Sequence, residues 1–262
     1  MRMNFSRRGL ILGSIAAAFV DKVFAVPPGI GERPVMPMPP GVRLPRLDQI
    51  VVEKGALPAW QSEIATAERV LAKAPKTVNP FKVAQYFERV GMGHENPSHE
   101  DWSQYTQEWP ERYNPVIRRF FDAVTDATPE GDCTAWCAAF VNWCIKRGRE
   151  ERPDGSTLLE ITHSAASRKF RTWGTETANP KPGDIAVFIN PNHTERGHVG
   201  FLSHFMNGKV WVLGGNQIDI NFPEITTCSD PNDAGGKVTT AEIGSSLVFH
   251  SFRTDPSLHD LA

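Results

Sequence analysis

The sequence lacks the patterns that hold metals or join thiols in redox sites. It has four cysteines in 262 residues and neither an H-E-x-x-H nor a paired C-x-x-C motif, which argues against a zinc hydrolase. The histidines and glutamates at 94–100 are typical of a solvated polar loop. Cys133 and Cys137 are separated by three residues, so they lack the spacing of thioredoxin-like redox sites. We expect neither a metal nor a cofactor.

Apolar runs long enough to cross a membrane are also absent after residue 25. Near the start, three arginines precede the apolar run 9–20, and Val-Phe-Ala at 23–25 supplies a cleavage pattern, so residues 1–25 are a predicted signal peptide. S-R-R-G-L-I resembles the twin-arginine signal, which implies export of a folded bacterial protein to the periplasm or beyond. The run is shorter than the ~20 residues of a membrane span, which favours cleavage over an uncleaved anchor.

The sequence also lacks a surplus of positive charge. The chain has 28 Lys and Arg against 30 Asp and Glu, and removal of residues 1–25 takes four basic residues and one acidic residue with it. The mature protein therefore has a net charge near −5. Such a surface argues against nucleic acid as a partner.

Composition and periodicity predict an α+β organisation after the signal peptide. A Pro-rich linker at 26–58 precedes a helical N-terminal region at 59–128. A catalytic domain at 129–254 and a short tail at 255–262 follow. In the N-terminal region, apolar spacing of three and four predicts helices at 59–73, 80–90 and 114–127. Farther on, a helix beginning near Cys137 and a short helix at 164–173 precede strands at 185–189, 198–205, 209–213 and 246–252. Asn207-Gly208 is a hairpin turn, so these strands are antiparallel and α+β is favoured over alternating βαβ units.

The strongest candidate for chemistry is the cysteine in T-A-W-C-A-A-F-V-N-W. Thr134 is a suitable N-cap, which would place Cys137 near the third helical position. There, unpaired N–H groups and the positive end of the helix dipole favour a thiolate. Cys133 is a rival nucleophile, because Asp132-Cys133-Thr134 resembles the D-C-S/T start of NlpC-type active sites, where the cysteine likewise opens a helix.

An imidazole and a polar residue could complete such a thiol site. His198 lies in G-H-V-G-F, and Asn216 lies in V-L-G-G-N-Q on the next strand. If His198 points from its strand toward the helix, it could take the proton of the thiol while Asn216 holds the ring in the useful tautomer. Each residue also has an ordinary structural explanation, His198 as an interior residue and Asn216 as a turn residue.

These motifs resemble the CHAP-type amidases and peptidases, relatives of the NlpC class among papain-like cysteine hydrolases. The resemblance covers residues 130–252 and rests on W-C-A-A-F-V-N-W, P-K-P-G-D-I-A-V-F, G-H-V-G-F and G-G-N-Q. It implies a papain-like core in which a nucleophile-bearing helix packs on an antiparallel sheet, with Cys137 as nucleophile, His198 as base and Asn216 as orienting residue. Many CHAP domains have a glutamate two residues before that asparagine, where this chain has Gly214.

By the same resemblance, the substrate is bacterial peptidoglycan, cut at the N-acetylmuramoyl-L-alanine amide or within its peptides. The alternative is a non-catalytic module that binds the wall through the same fold.

Five side chains carry further expectations. Trp136 either lines the substrate cleft or packs the helix start, and Gln217 is a candidate for substrate binding. Cys144 lies on the apolar helix face and is interpreted as a buried small hydrophobe. Cys133 and Cys228 could form a disulfide in an oxidising periplasm.

Overall fold

A computed structural model describes most of the chain beyond residue 54. The described residues are 55, 57–76, 79–129, 131–132, 134–149, 160–217, 236–243 and 246–259. The predicted signal peptide, nearly all of the linker, and both Cys133 and Cys228 lie outside these ranges. Within them, no helix is long and apolar enough to cross a membrane.

Four α-helices lie within the described ranges. They are α1 Gln61–Lys73, α2 Pro80–Gly91, α3 Pro115–Phe120 and α4 Cys137–Arg149. Asn79 caps α2, because its side chain accepts a hydrogen bond from the Phe81 N–H at 3.0 Å and Pro80 occupies the first helical position. This helix start confirms the one expected from Asn79-Pro80.

The strands of the described segments form one antiparallel sheet of six in the order β1-β6-β2-β3-β4-β5. They are β1 Thr175–Glu176, β2 Ile185–Asn190, β3 His193–Met206, β4 Lys209–Gln217, β5 Lys237–Glu242 and β6 Val248–Thr254. Asn207 and Gly208 both have positive φ, 53° and 75°, as a tight β3–β4 hairpin requires. The helices and this sheet confirm the predicted α+β class.

Two predicted helices are shorter than their apolar patterns. α3 ends at Phe120 and continues only as the 3-10 turn Phe121–Ala123, and the segment predicted at 164–173 is the 3-10 helix Ser167–Thr172. In both cases packing, rather than periodicity, decides where the helix stops. The strands β1 and β5 were not predicted, because each is short and lacks a strong alternating pattern.

One hydrophobic core joins the N-terminal helices to α4 and the sheet. It contains buried apolar residues from all four helices and from β2, β3, β4 and β5. At its centre, Phe87 and Phe120 contact the ring of Phe140 at centroid distances of 6.0 and 5.2 Å. The helical N-terminal region and the predicted catalytic domain therefore bury a common core.

Polar contacts reinforce this union. Arg147 of α4 donates to the Ala74 carbonyl at 2.8 Å and to the Ala72 carbonyl at 3.1 Å, where α1 ends and has unpaired acceptors. The Glu88 carboxylate of α2 accepts from the Thr240 N–H of β5 at 2.8 Å. The N-terminal helices thus hold both α4 and the edge strand β5.

Candidate active site

Cys137 is the first residue of α4. The first helical hydrogen bond joins the Phe140 N–H to the Trp136 carbonyl at 2.9 Å, so Trp136 rather than Thr134 is the N-cap, and Cys137 lies two positions earlier than predicted. The N–H groups of the first turn have no acceptor inside their own helix, and they point to the side on which the dipole is positive. Cys137 is 4% exposed.

Trp136 is fully buried directly before Cys137. Its indole Nε1–H donates to the Glu108 carboxylate at 2.9 Å, and the ring stacks on Phe120 at a centroid distance of 5.9 Å. Because no part of the side chain is exposed, Trp136 packs the helix start. That is the second of the two roles considered from the sequence.

His198 is buried on β3. Val199 and Phe201 belong to the core that contains α4. His198 alternates with them and pairs with Phe188 of a second apolar cluster, so its side chain leaves β3 on the face opposite α4 and not toward the helix as expected. Its Nε2 lies 2.9 Å from Gln217 Oε1. Burial lowers the pKa of His198 to about 4, against a smaller rise from the Gln217 hydrogen bond, so the imidazole is neutral at pH 7.

The Gln217 side chain is held at both ends of its amide. Nε2 donates to the Val212 carbonyl at 3.0 Å and to the Thr239 carbonyl at 2.5 Å, while Oε1 faces His198. Gln217 is 4% exposed. The side chain considered for substrate binding is therefore buried against the imidazole.

Asn216, the predicted orienting residue, lies in an irregular part of β4. The β4–β5 register shifts between Gly214 and Gln217, and Asn216 has a φ of 55°, a left-handed conformation that asparagine tolerates. A Cβ built on Gly236 would collide with Asn216 Oδ1, so the Asn216 amide lies against Gly236. In the structure the hydrogen bond to His198 belongs to Gln217.

Two consecutive glycines lie between the start of α4 and His198. A Cβ on Gly215 would lie 2.6 Å from Trp136 Cε3, and a Cβ on Gly214 would lie 3.2 Å from His198 Nε2. The indole packs against one glycine and the imidazole against the next. β4 therefore carries no side chain at the two positions that separate the residue before Cys137 from His198.

Two buried carboxyl groups near the start of α4 were not singled out from the sequence. Glu108 holds the Trp136 indole, and Asp132 Oδ2 accepts from the backbone N–H groups of Trp109 and Asn114 at 3.0 and 2.8 Å. Burial raises the pKa of Asp132 to about 6. Glu108 has no motif of its own, and Asp132 drew attention only as the neighbour of Cys133.

Cys144 and the polar loop at 94–100 match their interpretations. Cys144 is completely buried, and burial raises the pKa of its thiol. In the 94–100 loop, Glu95 pairs with Arg89 and Glu100 with Arg69, both at 2.7 Å. Across the described ranges, no three His, Cys, Asp or Glu side chains are grouped to hold a metal.

Comparison with known proteins gives a match, which covers the part of the chain that contains this site. The family model of the CHAP domain matches residues 128–216, which include Cys137, His198 and Asn216. Comparisons with curated proteins and with solved structures give no match. Residues 128–216 are therefore similar to the CHAP domain, and this similarity suggests a peptidoglycan hydrolase or amidase type of function.

Proposed function

We propose that this protein is an exported cysteine hydrolase that cleaves amide bonds in bacterial peptidoglycan. Cys137 is the nucleophile and His198 the general base. The bond cut is either the N-acetylmuramoyl-L-alanine amide or a bond within the peptides. Export by the twin-arginine route would place the enzyme in the periplasm or outside the cell, where this polymer lies.

The glycine pair on β4 is the observation that carries the proposal. Gly215 packs under the residue before Cys137, and Gly214 packs under the His198 ring. Without side chains at these positions, the helix start and the imidazole can approach the strand from either side. A cysteine at the start of α4 and a neutral imidazole on β3, both within the segment that matches the CHAP model, are the two groups that thiol-dependent acyl transfer needs.

The reaction follows from the protonation states. His198 is neutral at pH 7 because burial lowers its pKa to about 4, so it can accept the Cys137 proton as sulfur attacks the amide carbonyl. The imidazolium then protonates the leaving amine, and a thioester remains. Water, deprotonated by His198, releases the carboxylic acid. The first-turn N–H groups of α4 would stabilise the oxyanion.

Digestion of purified peptidoglycan tests the proposal. The mature protein should release soluble fragments, and Cys137→Ala should release none, because no other described group at the helix start can form the thioester. Cys144→Ala is the matched control, since it removes a buried thiol from the same helix. Mass spectrometry of the fragments distinguishes freed lactyl carboxyl groups from trimmed peptides.

Two outcomes would contradict the proposal. If the wild type and Cys137→Ala both sediment with peptidoglycan and leave it intact, the protein is the non-catalytic binding module. If Cys137→Ala digests the polymer as fast as the wild type, another nucleophile acts, and Cys133→Ala becomes the variant to assay.

A further inference from the structure

We propose that Gln217 is the residue that positions His198, holding its imidazole as the Nε2–H tautomer so that Nδ1 is the proton acceptor. The catalytic meaning of this assignment rests on the proposed function, whereas the tautomer itself does not. The assignment gives Gln217 the orienting role that the sequence suggested for Asn216.

The first step concerns which end of the Gln217 amide faces the ring. Val212 and Thr239 both present carbonyl oxygens, which accept hydrogen bonds only, to the same amide atom at 3.0 and 2.5 Å. That atom must be the NH2 group, whose two hydrogens satisfy both carbonyls. The reversed amide would place its oxygen against two other oxygens and lose both bonds. The oxygen of Gln217 therefore faces His198.

The second step fixes the proton on the ring. A neutral imidazole carries one N–H, and Gln217 Oε1, 2.9 Å from Nε2, can only accept. Nε2 therefore carries the hydrogen and Nδ1 carries the lone pair. Within the part of the chain that the structure covers, His198 has no other side-chain hydrogen bond, so Nδ1 remains available to take a proton from a thiol.

The third step explains why Gln217 can reach the ring. A Cβ on Gly214 would lie 2.7 Å from Gln217 Oε1, so the amide occupies the space that a side chain at position 214 would fill. The register shift next to the left-handed Asn216 turns Gln217 toward this space. Gly214 and this register shift together place the Gln217 amide beside the His198 ring, which a regularly alternating strand would not do.

This arrangement gives the buried base His198 a neutral hydrogen-bond partner, the Gln217 amide. When Nδ1 takes the thiol proton, the imidazolium donates its Nε2–H to an amide oxygen and not to a carboxylate. The amide orients the ring, but it stabilises the positive charge less than a carboxylate would. His198 therefore acts as a proton acceptor during attack and is not held as a permanent imidazolium.

Nitrogen NMR of the histidine-labelled wild-type protein tests the tautomer directly. At pH 7 the His198 ring should show a protonated Nε2 and an unprotonated Nδ1. The opposite pattern, a protonated Nδ1, would overturn the proposal whether or not the protein degrades peptidoglycan. Conversely, an Nε2–H ring in a protein without hydrolase activity would leave the positioning intact and reject the proposed function.

Variants separate Gln217 from its neighbour. Gln217→Leu removes the acceptor and should mix the two tautomers and lower kcat about tenfold with little change in KM, as expected for one lost hydrogen bond. Asn216→Gly keeps the left-handed backbone and should leave the Nε2–H tautomer unchanged. The proposal is refuted if Asn216→Gly, and not Gln217→Leu, alters the tautomer.

Gln217→Glu tests the contact through the pH dependence of activity, which would not change if Gln217 only stabilised the fold. A carboxylate beside the ring favours the imidazolium, so the acid limb of the kcat/KM profile should move to higher pH. An acid limb that stays in place would show that residue 217 does not contact His198.

Discussion

Asp132→Asn isolates the effect of a buried carboxyl group on stability. Asp132 is completely buried; one oxygen accepts two backbone N–H groups, and the other, Oδ1, has no hydrogen-bond partner within the described part of the chain. Burial raises its pKa from the ordinary 3.8 to about 6. An asparagine oxygen can accept the same two bonds but never ionises.

The size of the expected change in the free energy of unfolding follows from the pKa shift of Asp132. Each pKa unit corresponds to about 1.4 kcal/mol, so the shift of about two units amounts to about 3 kcal/mol. Because the folded-state pKa is raised, the stabilisation is fully present below the unfolded pKa of 3.8 and is lost as pH rises through about 6. Between pH 4 and pH 7, the wild type should therefore lose up to about 3 kcal/mol relative to Asp132→Asn.

Urea unfolding of both proteins between pH 4 and pH 8 measures this difference. The buried Nδ2 of the asparagine carries a cost that is the same at every pH, so only the change with pH reports ionisation. Asp122→Asn, which removes an exposed carboxylate from the Arg119 ion pair, is the control for loss of one negative charge. A wild-type to Asp132→Asn difference that stays constant across this range would refute the argument.

Three further outcomes are expected from contacts around the site. The pKa shift of His198 has the opposite sign to that of Asp132, because its folded-state pKa of about 4 lies below the ordinary 6.5. The contribution of His198 to stability is therefore lost as pH falls from 6.5 toward 4, by about 3 kcal/mol. His198→Gln should remove this loss in urea unfolding. Glu108→Ala should cost about 1–3 kcal/mol by leaving the buried Trp136 indole without an acceptor, whereas Glu108→Gln, which keeps an acceptor, should cost less in the same assay. Gly214→Ala should push the Gln217 amide away from His198, because the new Cβ would lie 2.7 Å from Oε1, and should lower kcat more than it lowers the melting temperature; unchanged kcat would contradict that contact.

Local chemistry predicted the elements whose ends are set by a few neighbouring residues. Asn79 and Pro80 begin α2 through a side-chain cap and a fixed φ, both of which act within one turn. Asn207 and Gly208 close the β3–β4 hairpin because these residues tolerate positive φ. The buried Cys144 also followed from helical spacing.

Features that depend on distant partners could not be predicted in the same way. β5, Lys237–Glu242, is a strand because β4 pairs with it, and its short sequence carries little signal of its own. The N-cap of α4 is Trp136 and not the predicted Thr134, because the Trp136 indole packs against Gly215 and donates to Glu108. Glu108 itself lies 28 residues from Trp136 in the chain, so its role appears only when the N-terminal region folds onto the domain.

The amino-acid sequence alone determined the class of fold and suggested the residue types of the candidate site, because helix and strand periods, turn residues and a cysteine followed by an apolar helix are local properties. Only the tertiary structure decided which amide meets His198. A strand that alternated regularly would not turn Gln217 toward that ring, and the bulge at Asn216 and the open space above Gly214 change this. Such a choice depends on the packing of β4 between β3 and β5, which no short stretch of residues encodes.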